Sequence, residues 1–166
     1  MLARLAVVLC ACLQAVASTS SYAGKIETAV IVHVIDGDTV VALIGKSRRK
    51  VRLLGIDAPE KEGPYTRWEP MSREARTRVE ELALHKTVEL SYGGQTREDK
   101  YGRLLGYVTL PGGTDLNETL IREGLAEAFH KFRHERRERY HRAEAEAKSA
   151  CRGLWSMRPP CAGVVQ

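Results

Sequence analysis

The sequence predicts an α+β domain that is mainly β, built as a small five-stranded barrel with about three helices. Two observations lead to this fold class. Five short apolar runs are separated by turn-forming residues, at positions 28–34, 39–44, 50–56, 87–92 and 102–110. Helical periodicity appears only after the third run and again after the fifth, so strands and helices do not alternate as in parallel α/β folds. An antiparallel barrel of the oligonucleotide-binding (OB) type fits this count and order.

The first three runs are expected to pair as an antiparallel meander. Asp36-Gly37-Asp38 interrupts alternating hydrophobic residues, and an Asp-Gly step at such a place favours a hairpin turn. A turn from Gly45 to Arg49 is predicted to connect the second strand to the third. The fourth strand stops at Gly93-Gly94 and the fifth at Pro111-Gly112-Gly113, because both clusters are turn-forming.

Three helices are expected outside the barrel. The first has apolar side chains at helical spacing between charged residues, at Met71, Ala75, Val79 and Leu82. Asp115 is a good N-cap for a second helix that ends near Glu123, where Gly124 stops it. The third is predicted over 134–151, with one face formed by Tyr140, Ala143, Ala147 and Ala150.

Residues 1–23 are predicted to be a secretory signal peptide. Arg4 precedes an apolar stretch, and Ala15-Val16-Ala17 is a small-x-small pattern typical of a cleavage site. An uncleaved anchor is the alternative, although the apolar stretch is short for a stable membrane span. The folded domain is placed at residues 26–156, with a C-terminal tail at 157–166. We therefore expect a secreted or periplasmic protein.

The cysteines agree with export. Cys10 and Cys12 fall in the signal segment, while Cys151 and Cys161 remain in the mature chain. An even pair in an oxidising compartment is most simply a disulfide. The composition, 43% hydrophobic and 28% charged, is that of a globular protein and excludes wholesale disorder. The formal net charge of +5 is a modest excess that favours polyanionic partners.

Acidic residues and one arginine stand where the first strands end. Asp38, Asp57 and Glu60 supply three carboxylates, and Arg52 is a charge inside an apolar strand that needs an anion nearby. Oxygen-only ligands favour calcium or magnesium over zinc. A cation site beside an anion site is what the cleavage of phosphodiesters requires. The alternatives are structural: Asp36-Gly37-Asp38 as a simple turn, and Arg52 paired with Asp57 or Glu60.

Three motifs carry a family resemblance. Asp36-Gly-Asp-Thr39, Arg52-Leu-Leu-Gly-Ile-Asp-Ala-Pro-Glu60 and Asp99-Lys-Tyr-Gly-Arg103, in this order and spacing, closely resemble the staphylococcal nuclease family. Asn117-Glu118 and Gly124-Leu-Ala126 also match. The resemblance covers about residues 26–156. It implies a five-stranded barrel with three helices and a calcium-dependent nuclease that cleaves single-stranded DNA and RNA at the 5′ P–O bond, leaving 3′-phosphate ends.

The resemblance also implies a role for each matched residue. Asp38 and Asp57 would bind Ca²⁺ with the backbone carbonyl of Ala58. Glu60 would orient or deprotonate the attacking water. The two arginines, Arg52 and Arg103, would hold the phosphate, since a planar guanidinium matches phosphate oxygens well.

Substrate-binding residues follow from the same comparison. Tyr101 matches a tyrosine near the phosphate, while His130 and Phe132 stand near the family's base-stacking tyrosines, with Phe129 beside them. Aromatic stacking tolerates such exchanges. Ala58 replaces a threonine of the family's archetype, which keeps the carbonyl but removes a hydroxyl.

The prediction is a calcium-dependent, monomeric nuclease acting on single-stranded DNA and RNA, with no obligate protein partner. The alternative from another class is a non-catalytic nucleic-acid-binding OB module. Such a module would usually lack some of the acids and arginines that are all present here. The basic run Lys131–Arg142 is interpreted as a solvated helix face, with phosphate steering as its functional alternative.

Overall fold

A computed structural model describes residues 25–60, 69–93 and 96–161. The strands are β1 (Ile26–Val34), β2 (Thr39–Ile44), β3 (Ser47–Leu53), β4 (Ile56–Asp57), β5 (Thr87–Tyr92), β6 (Leu104–Thr109) and β7 (Glu127–Ala128). The helices are α1 (Ser72–Ala83), α2 (Leu116–Arg122) and α3 (Arg137–Ser149), with a 3-10 helix at Gly153–Met157. The predicted signal segment and the loop at 61–68 lie outside the described residues.

Five strands close into a barrel in the order β1-β2-β3-β6-β5, and β4 pairs with β7 in a separate two-stranded sheet. This confirms the predicted five-stranded, mainly β fold with three helices. The expectation of an all-antiparallel barrel is wrong at one place, because β3 and β6 pair in parallel, with Arg52 opposite Leu105. The chain between them carries α1 and β5, which gives the long connection that parallel pairing needs.

Several predicted boundaries need correction. The turn predicted at Gly45–Arg49 is only two residues long, because Ile44 already pairs with Ser47. The third strand ends at Leu53, since the chain turns at Gly55 before β4. The last helix begins three residues later than predicted and ends at Ser149, so Ala150 is exposed rather than buried.

The core fills the barrel and the space between the barrel and its helices. Strand alternation points Val51 and Leu53 of β3 inward, where neither is exposed to solvent. The helix α1 buries a stripe of small side chains, Ala75, Val79 and Ala83, at spacings of about one turn.

The Asp115 carboxylate caps α2, as predicted, by accepting a hydrogen bond from the Glu118 backbone N–H at 3.1 Å. None of the helices in the described part of the chain is long and apolar enough to span a membrane.

Candidate active site

The β1–β2 hairpin positions Asp38. The Asp36 carboxylate accepts a hydrogen bond from the Asp38 backbone N–H at 3.0 Å, so Asp36 is a turn residue. At Gly37 the chain passes very close to its neighbours: a Cβ there would lie 2.7 Å from the Ala58 Cβ and 2.8 Å from the Ala75 Cβ. Only glycine permits this approach. It brings the hairpin against the strand that carries Asp57 and Ala58.

Asp38 is a buried carboxylate, with 4% of the residue exposed. Its oxygens accept hydrogen bonds from the Thr39 hydroxyl at 3.0 Å and the Ala58 backbone N–H at 2.9 Å. Its Oδ2 also lies 2.9 Å from Nη2 of Arg52. Burial raises the pKa of Asp38 to about 7, against the opposing effect of the Arg52 charge. The ionised form is therefore costly here unless more positive charge approaches it.

Arg52 connects the two aspartates. Its Nη2 lies 2.9 Å from Asp38 Oδ2 and 2.9 Å from Asp57 Oδ1. Its Nη1 donates hydrogen bonds to the backbone carbonyls of Leu53 at 3.0 Å and Ile56 at 2.8 Å. The reversal at Gly55, with a φ of 81°, brings the Ile56 carbonyl back toward this guanidinium. The fold thus fixes Arg52 in place. Of the two structural partners expected from the sequence, Asp57 forms an ion pair with Arg52 and Glu60 does not.

Asp57 and Ala58 stand at the mouth of the site. Pairing of β4 with β7 places Asp57 opposite Glu127. The Asp57 side chain is 58% exposed, whereas Ala58 is buried. One carboxylate therefore belongs to the interior and the other to the solvent, and a single guanidinium nitrogen contacts both.

Glu60 directly precedes residues 61–68 in the sequence. Its backbone N–H donates to the Glu69 carboxylate at 3.0 Å, and its carbonyl accepts from the Glu69 N–H at 3.0 Å. Burial raises the pKa of Glu60, and the negative charges of Asp36 and Asp57 add to the effect. A carboxyl group whose pKa is raised is a better proton acceptor than an ordinary surface carboxylate.

Arg103 is held by the Asp99 turn. Its Nε donates to Asp99 Oδ2 at 2.7 Å, and its backbone N–H donates to Asp99 Oδ1 at 3.0 Å. The two terminal nitrogens of its guanidinium make no hydrogen bond to the described residues. Tyr101, 71% exposed, lies with its ring 5.5 Å from the Arg103 guanidinium carbon. Unlike Arg52, Arg103 keeps two donor groups for an external anion.

Arg52 and Arg103 line one pocket. Leu105 forms part of its wall, and two aromatic residues, Phe129 and Phe132, stand at its edge with ring centroids 4.7 Å apart. Phe132 therefore shares a pocket with both arginines. His130 does not line this pocket: its ring lies 4.3 Å from that of His141, and its Nε2 is 3.2 Å from Glu144. Since the segment after β7 is not a regular strand, sequence alternation did not show that Phe129 lies in this place.

The described residues do not form a metal-binding cluster, although their donor types allow the calcium prediction to be examined. Within 25–60, 69–93 and 96–161, no three His, Cys, Asp or Glu side chains lie close enough together to hold a metal ion. The donor types nevertheless fit calcium, which takes carboxylate, carbonyl and water oxygens. Asp38 and Asp57 direct oxygens to one nitrogen of Arg52, and the Ala58 backbone follows directly. A second positive charge at this place would offset the energetic cost of burying the ionised Asp38 carboxylate.

Cys151 and Cys161 are joined in a disulfide, with their Cα atoms 5.7 Å apart. The bond closes the segment that follows α3. This segment includes Trp155. Its ring centroid lies 4.4 Å from Nζ of Lys148 and 4.8 Å from Cζ of Arg158. The disulfide therefore fixes the C-terminal segment against α3.

Comparison with known proteins gives a consistent result. The family model described as "Staphylococcal nuclease homologue" matches residues 50–157. A thermonuclease of Staphylococcus hyicus is 34% identical over 131 residues, which cover 78% of this chain and 76% of the relative. An uncharacterised endonuclease of Escherichia coli O157:H7 is 33% identical, covering 78% of both chains. A micrococcal nuclease of Shigella flexneri is 31% identical, covering 76% of this chain and 72% of the relative.

The family match, the five-stranded barrel and the motifs agree with one another, and the match includes every predicted catalytic, metal-binding and substrate-binding residue except Asp38. Asp38 is brought to the others by the β1–β2 hairpin, and the curated relatives extend the similarity beyond the matched range. The chain therefore belongs to the staphylococcal nuclease family, a family of nucleases.

Proposed function

We propose that this protein is a calcium-dependent nuclease that hydrolyses phosphodiester bonds of single-stranded DNA and RNA. The observation that carries the proposal is the linkage of two arginines and two aspartates: Arg52 contacts Asp38 and Asp57, and lines one pocket with Arg103. An anion-binding pocket next to a carboxylate pair is the arrangement that phosphodiester hydrolysis needs. The names of the relatives, thermonuclease and micrococcal nuclease, support the same activity.

The carboxylates provide the cation site. Asp38, Asp57 and the Ala58 carbonyl would hold Ca²⁺, which would polarise a phosphoryl oxygen and offset its growing charge. Because burial raises the pKa of Asp38 to about 7, a cation held by this carboxylate would displace a proton from it at neutral pH and below.

The arginines bind the phosphate. The Arg103 guanidinium has two nitrogens available and stands in the pocket with its Nε fixed by Asp99 at 2.7 Å. Two such donors aimed at one phosphoryl group stabilise the charge that develops as the bond to the attacking oxygen forms. Phe129 and Phe132 offer aromatic faces to a neighbouring base, a contact that accepts any sequence.

Glu60 is the general base in this proposal. Its raised pKa makes it a stronger acceptor of a proton from water than an ordinary surface carboxylate. Glu60 takes a proton from water as the water oxygen bonds to phosphorus. The bond from phosphorus to the 5′ oxygen breaks, and the 5′ oxygen takes up a proton from solvent. The products are a 3′-phosphate end and a 5′-hydroxyl end.

Export is a further part of the proposal. The signal-peptide pattern of residues 1–23 and the Cys151–Cys161 disulfide support a secreted or periplasmic location, since disulfides persist in oxidising compartments.

The test is cleavage of a labelled single-stranded oligonucleotide with calcium and with a chelator, with identification of the product ends. We expect calcium-stimulated hydrolysis that leaves 3′-phosphates. The variant Glu60→Gln should lose about 10²–10⁴ in kcat. Glu69→Gln is the matched control, because Glu69 is a neighbouring glutamate that contacts Glu60, and its amide oxygen can still accept the Glu60 N–H. Binding without calcium-stimulated hydrolysis would identify a non-catalytic module instead, and undiminished cleavage by Glu60→Gln would remove Glu60 from its role.

A further inference from the structure

The outer face of β3 carries a row of positive charges that ends at the active site. Strand alternation places Val51 and Leu53 in the barrel core and turns Arg48, Lys50 and Arg52 to the opposite face. The distance along the strand from Arg48 to Arg52 is about 13 Å at roughly 3.3 Å per residue. Neighbouring members of the row are therefore separated by about as much as neighbouring phosphates of an extended single strand.

Arg48 and Lys50 are available to a ligand. Both are exposed, and neither makes an ion pair or a side-chain hydrogen bond to any described residue. Arg49, between them in sequence, points to the other face and is paired with Glu98 at 2.6 Å. Glu98 therefore neutralises Arg49, which faces away from the row. Arg48 and Lys50, in the row, have no acidic partner among the described residues.

The row is continuous with the pocket and has an apolar floor. Arg52 lies opposite Leu105 of β6, which lines the pocket with Arg103. On the other side, Lys50 pairs with Val41 and Arg48 with Leu43, and both β2 residues are only partly buried. A strand of nucleic acid that leaves the pocket along β3 would therefore meet alternating cationic and apolar surface, with no acidic side chain on β2 or β3 in its path.

We propose that Arg48 and Lys50 form a phosphate track that binds the part of a single-stranded nucleic acid substrate extending away from the scissile phosphate at Arg52. The inference rests on the proposed function and deepens it. The track favours substrates several nucleotides long over the shortest ones. Because it acts through charge and exposed side chains, it is independent of base sequence and weakens as salt rises.

The test is the salt dependence of binding, which requires no hydrolysis. Binding of a fluorescent single-stranded oligothymidylate is measured by anisotropy in chelator over a range of salt concentrations. The double variant Arg48→Gln/Lys50→Gln should reduce the slope of log K against log salt by about 1.4, since each contact to a single strand contributes about 0.7. An unchanged slope overturns the track.

The matched control is Arg73→Gln/Lys86→Gln. It removes one arginine and one lysine, both exposed, from α1 and the turn before β5, next to barrel strands that do not pair with β3. We expect this control to keep the wild-type slope. An equal reduction in both double variants would show only a loss of net charge and would overturn the track.

Hydrolysis separates the track from the active site. With calcium, Arg48→Gln/Lys50→Gln should raise KM for a long single strand several-fold while kcat stays within about twofold, and a dinucleotide substrate should be cleaved as by wild type. Equal loss on both substrate lengths would overturn the track. If the wild type neither binds nor cleaves the oligonucleotide, both proposals fail. If it does both and the variant is unchanged, only the track is wrong.

Discussion

Two buried aspartates, Asp38 and Asp115, look alike in isolation but are built into opposite kinds of environment. They are 4% and 5% exposed, and both contact arginine: Asp38 lies 2.9 Å from Arg52, whereas Asp115 lies 2.8 Å from Arg136 and 3.9 Å from Arg139. Asp115 also caps α2 and accepts a hydrogen bond from the buried Tyr140 hydroxyl at 3.1 Å. The arginine and tyrosine contacts join the start of α2 to α3, and the cap contact lies within the first turn of α2 itself.

The arginine that contacts Asp38 also contacts a residue at the protein surface. Arg52 makes its second ion pair with Asp57, which is largely exposed, and lines the pocket that contains Arg103. The fold leaves Asp38 with a pKa raised to about 7, so the site tolerates an electrostatic cost. Asp115, whose contacts all lie in and between helices, is placed to stabilise the fold. Asp38, which shares an arginine with the exposed Asp57 at a pocket, is a candidate for function. Substitutions that separate stability from activity test this difference.

The largest expected effect is on catalysis by Arg103. Arg103→Gln should reduce kcat by about 10²–10³, because it removes a preorganised donor from the developing phosphoryl charge. The thermal midpoint should change little, since the described contacts of this side chain are confined to the Asp99 turn and Tyr101. Steady-state kinetics and thermal unfolding of the same preparation provide the check. A large loss of stability with normal kcat would place Arg103 with the structural residues.

Asp38→Asn should weaken calcium-stimulated cleavage yet stabilise the metal-free protein above pH 7. The folded pKa of about 7 exceeds the ordinary value of 3.8, so the folded protein holds a proton that the unfolded chain has lost between these pH values. The free energy of unfolding therefore falls as pH rises through this window. The gain in the variant is at most about 4 kcal/mol, the equivalent of the whole shift.

Urea unfolding of wild type and Asp38→Asn at pH 5 and pH 8, both with chelator, measures this effect. The difference between the two proteins should be larger at pH 8. A variant that is less stable than wild type at both pH values would show that the Asp38–Arg52 ion pair is a net stabilising contact.

Asp115→Asn should lower the free energy of unfolding, which is opposite to the effect of Asp38→Asn and smaller in size. An asparagine keeps the N-cap but loses the charged hydrogen bonds to Arg136 and Tyr140, at a cost of about 1.5–3 kcal/mol. The turnover of the remaining folded protein should stay within about twofold of wild type. Urea unfolding measures the loss of stability. Steady-state kinetics at urea concentrations below the unfolding transition measure the turnover of the folded protein. A marked fall in kcat without loss of stability would mean that the comparison between the two aspartates fails.

The sequence predicted the elements that local patterns specify. The bounds of β2 and β5 and the Asp115 cap follow from alternation and capping chemistry, and the structure reproduces them. Local pattern could not show that β3 and β6 run parallel, because barrel closure depends on contacts between distant residues. Nor could it show the β4–β7 pairing, since strands of two residues have no periodicity.

The candidate site was predicted as a set of residues rather than as a geometry. The motifs indicated Asp38, Arg52, Asp57, Glu60 and Arg103, but spacing alone did not show that Arg52 holds both aspartates and two backbone carbonyls. That arrangement depends on the reversal at Gly55. The place of Phe129 in the pocket, and of His130 outside it, depends on how an irregular segment packs against α3.

The most direct test of the central claim is calcium titration of the substrate-free protein by calorimetry, comparing wild type with Asp57→Asn. Asp57 is exposed, so its substitution should leave the fold intact while removing one of the two carboxylates from the cation site. We predict saturable calcium binding by wild type that releases protons below pH 7, and at least tenfold weaker binding by the variant. Equal binding by both proteins, or none by wild type, would contradict the account.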